Sequence, residues 1–543
     1  ITYANFWKGE IGYRNNNYDS AVYYLLAYFK SPASYGEVNA MHAHYTLGYA
    51  YLRQEDYDDA LKNFEQVTTS VNSNSQALQV DAYLREADCY FMKKQLSKAL
   101  QMYETVINDQ LPSADYALYQ KAVIAGANGQ YAQKVSLLQS VQNRYPSSTL
   151  VADANMEVAN TYLANEQYDQ AIKPLNGILA SKNDAFKPQA YLKLGVSYFN
   201  LKDNQNALSN FQKLISTYPN SPEADEAVEY VRDIFIDTQR PDDFVAFMQK
   251  SGKPVSYSEQ DSITFITAQS AYNNRSYDAA LQGFNNYLSK FPNGKYFVDA
   301  NYMTADIYNT RKDFPHAITY YNTVAKNAPN SYAEQSLLQA ARIAYFELKD
   351  YKQAEQDFNQ LKTIATTPEN KLESERGLLR CQYKLNELND ALANAQDLLQ
   401  QKDIASDDKA MANLIIAKNY QNNNQLDEAS GAYKNVVNTG KSEYSAEARY
   451  HIAEILFLQN SLKDAEKAGF DVINKAGSYD YWITKAYILL GDIYLKEQDY
   501  FNAEATLRSV VANASDATLK QEAQQKLDAV LAEKDKNSKV VQQ

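Results

Sequence analysis

Cysteine is almost absent: Cys89 and Cys381 are the only two in 543 residues. Two thiols cannot staple a chain of this length, and so low a content fits an oxidising compartment, where stray thiols are a liability. Histidine is nearly as scarce, and none of His42, His44, His316 and His451 falls in a zinc pattern such as His-Glu-x-x-His. His42 and His44, two apart, point to different sides of a helix. The 17 glycines are scattered, with no phosphate-cradling loop, nucleophile elbow or dinucleotide fingerprint among them. The expectation is a protein with no metal site, no cofactor and no catalytic residues, and not an enzyme. Basic charge is also short, since 53 Lys and Arg against 66 Asp and Glu leave a net charge of -13. Nucleic acid is excluded as a partner, because phosphate binding needs a basic surface to release counterions. No apolar run approaches the ~20 residues of a bilayer-spanning helix. What the composition does supply, 45% apolar and 22% charged residues, is enough to bury a core.

Internal periodicity organises the whole chain. The clearest copy reads Tyr45-Thr46-Leu47-Gly48-Tyr49-Ala50-Tyr51, then Tyr57-Asp58-Asp59-Ala60-Leu61 and Phe64. It returns at Gly195, Tyr198, Ala207 and Phe211, at Ala305, Tyr308, Ala317 and Tyr321, and at Gly491, Tyr494, Tyr500 and Ala503. Anchored on the small residue of the second helix, the series is Ala21, Ala60, Ala99, Lys134, Ala171, Ala207, Phe247, Ala280, Ala317, Ala354, Ala391, Ala429, Ala465 and Ala503. The mean spacing is about 37 residues, which leaves little chain for any other domain. Alanine at the anchor, with glycine or alanine twelve positions earlier, lets two antiparallel helices approach while aromatic rings fill the flanks. Tyrosines recur nine before the anchor (Tyr51, Tyr90, Tyr162), three before it (Tyr57, Tyr131, Tyr168) and four after it (Tyr103, Tyr321, Tyr433), so much of the tyrosine content is expected to be core. Both cysteines stand ten before an anchor, as Ala50 and Ser197 do, and are expected to be small core fillers too distant for a disulfide.

The turns carry stop and start signals. In Tyr218-Pro219-Asn220-Ser221-Pro222-Glu223, Pro219 stops one helix, Ser221 can cap the next, and Pro222 suits its first position. Ser331 and Glu334 have capping-box spacing. Two copies depart from the pattern, with Lys134 and Phe247 in place of alanine. The second is flanked by Thr238-Gln239-Arg240-Pro241 and Ser251-Gly252-Lys253-Pro254, which suggests a division into residues 1-255, residues 256-530 and a polar tail, 531-543.

The Gly48, Tyr51, Ala60, Phe64 pattern resembles the tetratricopeptide-repeat (TPR) family over nearly the whole chain. The resemblance implies an all-α fold, a right-handed α-solenoid of about fourteen helix-turn-helix repeats, and a non-catalytic protein-protein interaction scaffold. The Tyr-Pro-Asn-Ser turns preceding Ala-rich helices, as in Tyr218 to Ala227, are similar to those of bacterial envelope members such as the periplasmic Tol-Pal coordinator and the outer-membrane-protein assembly lipoprotein. The stretch from Tyr481 to Leu495 resembles large TPR proteins of the Bacteroides group. Together these imply a periplasmic or outer-membrane-associated adaptor. A cytoplasmic co-chaperone or regulatory adaptor is the alternative, although no regular Lys/Asn clamp for an acidic tail is present. A glycan-binding outer-membrane lipoprotein built on TPRs is a third reading, with Trp7 and Trp482 the only tryptophans available to stack on sugars.

In such an array the first helices line the concave groove, so residues three before and one or four after the Gly/Ala position are expected to face it. These are Phe6, Tyr45, Tyr119, Phe265, Tyr302 and Tyr450, then Glu10, Asp88, Asp306, Glu454 and Asp492, then Tyr13, Phe91, Phe199, Tyr272 and, beyond them, Phe346 and Phe457. Aromatics beside acids suit an extended partner peptide, or protein segment, with apolar and basic side chains. The sequence opens at Ile1, directly in an amphipathic segment from Phe6 to Ile11. Any targeting segment, and with it any membrane attachment, is expected upstream.

Overall fold

The computed structural model describes residues 1-401 and 404-541, with 537-541 described in backbone alone. Among the described residues there are twenty-nine α-helices and no strand, only an isolated bridge between Tyr35 and Val38. Fourteen helix pairs, from Thr2–Arg14 with Tyr18–Phe29 to Asp480–Lys496 with Tyr500–Asn513, are followed by one further helix, Ala517–Val541. The chain divides into two compact units, Ile1–Ile263 and Thr264 onward. Each is a stack of helical hairpins in which most helices pack on their neighbours in sequence.

Every hairpin is closed by the same turn. Five residues before the anchor the backbone is left-handed, at Asn16, Glu55, Lys94, Gly129, Glu166, Lys202, Gln239, Arg275, Lys312, Lys349, Asn386, Asn424, Asn460 and Gln498. The next residue turns its N–H back to a carbonyl near the end of the first helix, as Asp56 does to Tyr51 (3.0 Å) and Asp203 to Tyr198 (2.9 Å), which is the Schellman closure. In five of the hairpins that same residue also caps the second helix with its side chain: Asn17, Asp56, Asp203, Asp350 and Asp499 each accept a backbone N–H. Only Gly129 among the fourteen left-handed residues lacks a Cβ.

The turn also corrects the register of the seventh repeat. Gln239 is its left-handed residue, so the anchor is Phe244, fully buried, and not Phe247, which is half-buried. Twelve positions earlier stands Arg232, whose guanidinium lies over the Phe244 ring at 5.9 Å and pairs with Glu259 at 3.0 Å. A large ring and a long cation thus exchange roles with the usual two small residues. In the fourth repeat Lys134 lays its stem against Gly126 and reaches Glu157 at 2.6 Å.

Elsewhere the small-on-large rule is literal. All twelve anchor alanines are fully buried. Beside them, the glycine of the first helix faces the large residue four after the anchor, and a Cβ on Gly48 would stand 2.8 Å from Phe64. A Cβ on Gly9, Gly195 or Gly491 would overlap Leu25, Phe211 or Leu507. In the fifth repeat the first-helix residue is Ala159 and its counterpart Leu175, both fully buried in the same cluster. Tyrosines four after the anchor, Tyr103, Tyr321 and Tyr433, are fully buried as expected. Those nine and three before it are half-buried, and Tyr131 is 54% exposed, so only part of the tyrosine content is core.

Ser221 caps Pro222–Asp237 by accepting the Ala224 N–H at 3.2 Å, as the sequence suggests. The capping box expected at Ser331 is not formed. Tyr332, not Ser331, flanks the N-terminus of Ala333–Arg342 and makes no side-chain cap, and Glu334 instead accepts from Thr366 and Asn370. One additional residue in this tenth repeat is absorbed as a π-helical segment, Ile343–Leu348, which keeps Ala341 fully buried and turns Arg342 out to Glu373 at 2.8 Å. Cys89 and Cys381 are free and buried, and burial pushes each thiol up to about 12. Residues 531-541 continue the last helix, which buries Leu519, Ala523, Leu527 and Val530. Residues 542 and 543 of the expected tail lie outside the described residues.

Gly195→Ala is expected to destabilise the first unit by about 1–3 kcal/mol through overpacking on Phe211. The double variant Gly195→Ala/Phe211→Leu, which reproduces the Ala159/Leu175 pairing, should recover most of the loss in chemical denaturation. Lys202→Gly, at a left-handed position, should raise the unfolding free energy in the same measurement by up to about 1 kcal/mol, and a lowered midpoint would contradict the strain assigned to these turns.

Candidate functional site

Of the seventeen residues expected to line a groove, sixteen stand on the α-helical part of first helices and none of these is exposed: Phe6, Phe265 and Tyr450 are buried and the others half-buried, while Phe346 stands in the π segment and is exposed. Their polar members are tied to neighbouring helices. In the first unit, Glu10 accepts the Thr46 hydroxyl of the second repeat, and Tyr45 donates to Asp81 of the third at 2.8 Å. Tyr13 packs its ring 6.1 Å from that of Tyr49, whose hydroxyl also donates to Asp81. Asp88 accepts from Arg85, Tyr103 and Tyr116, and Arg85 lies over the Tyr116 ring at 4.8 Å. Burial pushes the Asp88 carboxyl up, and Arg85 only partly offsets it. Phe91 and Tyr119 pack against the core of the third and fourth repeats, and Phe199 meets Tyr230 edge-on at 5.5 Å.

The second unit repeats the arrangement. Phe265 stacks on Tyr296 at 4.4 Å, Tyr272 donates to Asp306 at 2.7 Å, and Tyr302 stacks on Tyr332 at 4.4 Å. Asp492 takes Lys526 of the last helix. Tyr450 and Glu454 belong to a larger cluster around His451, whose Nδ1 is 2.8 Å from Glu454 and whose Nε2 faces Glu447 at 3.7 Å. The imidazole stacks on Tyr433 at 5.1 Å and packs near Trp482. Glu447, on the first helix of the thirteenth repeat, also pairs with Lys418 at 2.5 Å and accepts from Tyr383, two repeats back. Burial alone would lift the Glu447 carboxyl, but His451, Lys418 and Tyr383 outweigh it and bring it down to about 2. Burial works against the His451 imidazolium, and the two glutamates overcome it, so its pKa is raised.

Sequence reasoning missed Asp81, Arg85, Tyr116, Glu447 and His451. The available signal was a tyrosine or cation one repeat away from an acid, as in Tyr45 with Asp81 and Tyr272 with Asp306. What these contacts produce chemically is a set of aromatic and carboxylate side chains locked in place by the next repeat. Among the described residues, no group of three or more His, Cys, Asp or Glu is placed to hold a metal ion, and no helix is long and apolar enough to cross a membrane.

Fourteen hairpins closed by one turn and one interlock define a helical repeat protein, and comparison with known proteins gives the family. Models described as tetratricopeptide repeat match residues 45–115, 267–332 and 414–481, residues 116–148 and 189–221, and residues 484–516, together just over half of the chain. The chain belongs to the tetratricopeptide-repeat family, whose members generally act as protein-protein interaction scaffolds, and no catalytic family is among those matched. Among solved structures, it is similar to the C-terminal part of a TPR repeat-containing protein from Cytophaga hutchinsonii, with 16% identity over 54% of this chain and 98% of that one and a TM-score of 0.33. Yeast Tom70 matches at 15% identity, covering 92% of this chain and 97% of its own, with a TM-score of 0.30. The APC/C hetero-tetramer Cut9-Hcn1 matches at 11% identity over 98% and 96%, with a TM-score of 0.32. No curated protein matches the sequence.

The His451 cluster sets a pH dependence. A raised imidazole pKa contributes stability that is fully present below the unfolded value of ~6.5 and lost as pH rises through the folded value. The lowered Glu447 pKa contributes stability present above its unfolded value of ~4.5 and lost as pH falls towards 2. The difference in thermal midpoint between the natural chain and His451→Gln should therefore be largest between about pH 4.5 and 6.5 and shrink on either side. A difference that grew steadily above pH 7 would contradict the assignment.

Proposed function

We propose that this chain is a non-catalytic adaptor of a bacterial cell envelope that holds a protein partner, as an extended segment, along the first-helix faces of its repeats. The observation that carries the reading is the tie between consecutive repeats: rings and carboxylates on that face are already fixed by Asp81, Asp306, Glu447 and their partners, so a partner meets ordered side chains. Ordering in advance removes an entropy cost that binding would otherwise meet. Phe346, at the π segment, and Tyr481 extend the face with rings 49% and 46% exposed, large enough to serve as anchors. The net charge of -13 favours a basic partner, and the two buried thiols suit an oxidising compartment.

A photo-crosslinking side chain at Phe346 or Tyr481 in native cells should capture the same partner. The same group at Phe501, 78% exposed on a second helix, should not. Equal or stronger capture at Phe501 would sink the proposal, and release of the protein by lysis but not by osmotic shock would remove its envelope location.

A further inference from the structure

One pocket on the first-helix face of the second unit has a chemistry of its own. It measures about 320 Å³ and lies among the first helices of repeats eleven, thirteen and fourteen, Pro368–Lys384, Glu443–Leu458 and Asp480–Lys496. Its walls are two perpendicular ring pairs, Tyr383 with Tyr444 at 6.3 Å and 87°, and Tyr481 with Trp482 at 5.0 Å and 89°. Glu447 also lines it, but its charge is already met by Lys418 and His451. Two charges of opposite sign remain at the rim, Lys384 and Glu443, both exposed and neither engaged in an ion pair among the described residues. The ring faces here accept cations: the Lys418 ammonium rests 4.9 Å from the Tyr383 centroid and that of Lys384 6.0 Å from it.

We propose that this pocket takes two adjacent side chains of opposite charge from an internal stretch of an extended partner. A basic one lays its stem and cation against the rings and pairs with Glu443, and an acidic one pairs with Lys384. A purely cationic ligand would meet Lys384 unscreened, and a purely anionic one would meet Glu443, whereas a pair of side chains of opposite sign matches both charges. A planar guanidinium suits the ring walls better than a strongly hydrated ammonium, which favours arginine as the basic member. This inference rests on the partner-binding reading of the first-helix face and specifies one point of it.

The chain contains only two tryptophans, so Trp7→Phe leaves Trp482, at the wall of the pocket, as the single tryptophan, to be excited selectively over the tyrosines. Three blocked dipeptides serve as probes on the full chain: acetyl-Arg-Glu-amide, acetyl-Arg-Gln-amide and acetyl-Gln-Glu-amide. The first should shift Trp482 emission saturably, with the other two roughly three- to tenfold weaker. Glu443→Gln should reduce binding of the first probe to that of acetyl-Gln-Glu-amide, and Lys384→Met to that of acetyl-Arg-Gln-amide. Both substitutions are on exposed side chains, and unchanged far-ultraviolet circular dichroism would show that the fold is retained. No saturable change with any probe, or equal affinity for all three, would overturn the proposal. Crosslinking through Phe346, which is not among the pocket residues, would survive that outcome and fail only if the wider reading is wrong.

Discussion

The contact on which the rest depends is between a small residue of each first helix and a large one in the second. Where Gly48 faces Phe64 or Gly195 faces Phe211, there is no space for even one added carbon, so the two helices have a single distance at which they can pack. The left-handed turn five residues before the anchor sets the entry angle, and one residue both closes the first helix and caps the second. Hairpin geometry is thereby settled within about 34 residues of chain, before any neighbour is added. The exceptions show the same constraint from the other side. Phe244 is accommodated because Arg232 stretches across its ring, and an added residue in the tenth repeat is taken up as a π segment so that Ala341 still faces inward.

A rigid hairpin gives the surface its character. Because each first helix is held at one height, a hydroxyl or carboxylate on it meets the same position of the next repeat, and Tyr45 finds Asp81 as Tyr272 finds Asp306. In the last repeats of the second unit the first helices come close enough for Tyr383 to reach Glu447 across an intervening repeat, and the aromatic pocket lies beside that contact. The chemistry of this face follows from packing.

Much of this was legible in the amino-acid order. The anchors at Ala21, Ala60 and Ala207, the counterpart glycines and the cap at Ser221 obey rules that act over one or two turns of helix, so spacing alone reveals them. The candidate groove residues fall on first-helix segments for the same reason. Their partners in other repeats were not visible, because an acid such as Asp88 looks equally suited to solvent, to a ligand or to Tyr116 until the stacking of repeats is known. The box expected at Ser331 failed because Glu334 is drawn to Thr366 and Asn370, a competition that local spacing does not register. The seventh anchor was misread by three residues since Phe247 and Phe244 are alike in type and only the left-handed Gln239 separates them.

By itself, then, the sequence determined the repeat, its period and the residues inside each hairpin, because helix packing at a fixed spacing depends on side-chain size and little else. Tertiary structure decided which charges pair, which tyrosines are core and which are half-exposed, and where a pocket opens. Those outcomes depend on the angle between successive repeats, a sum of many small packing terms that no single stretch of sequence carries.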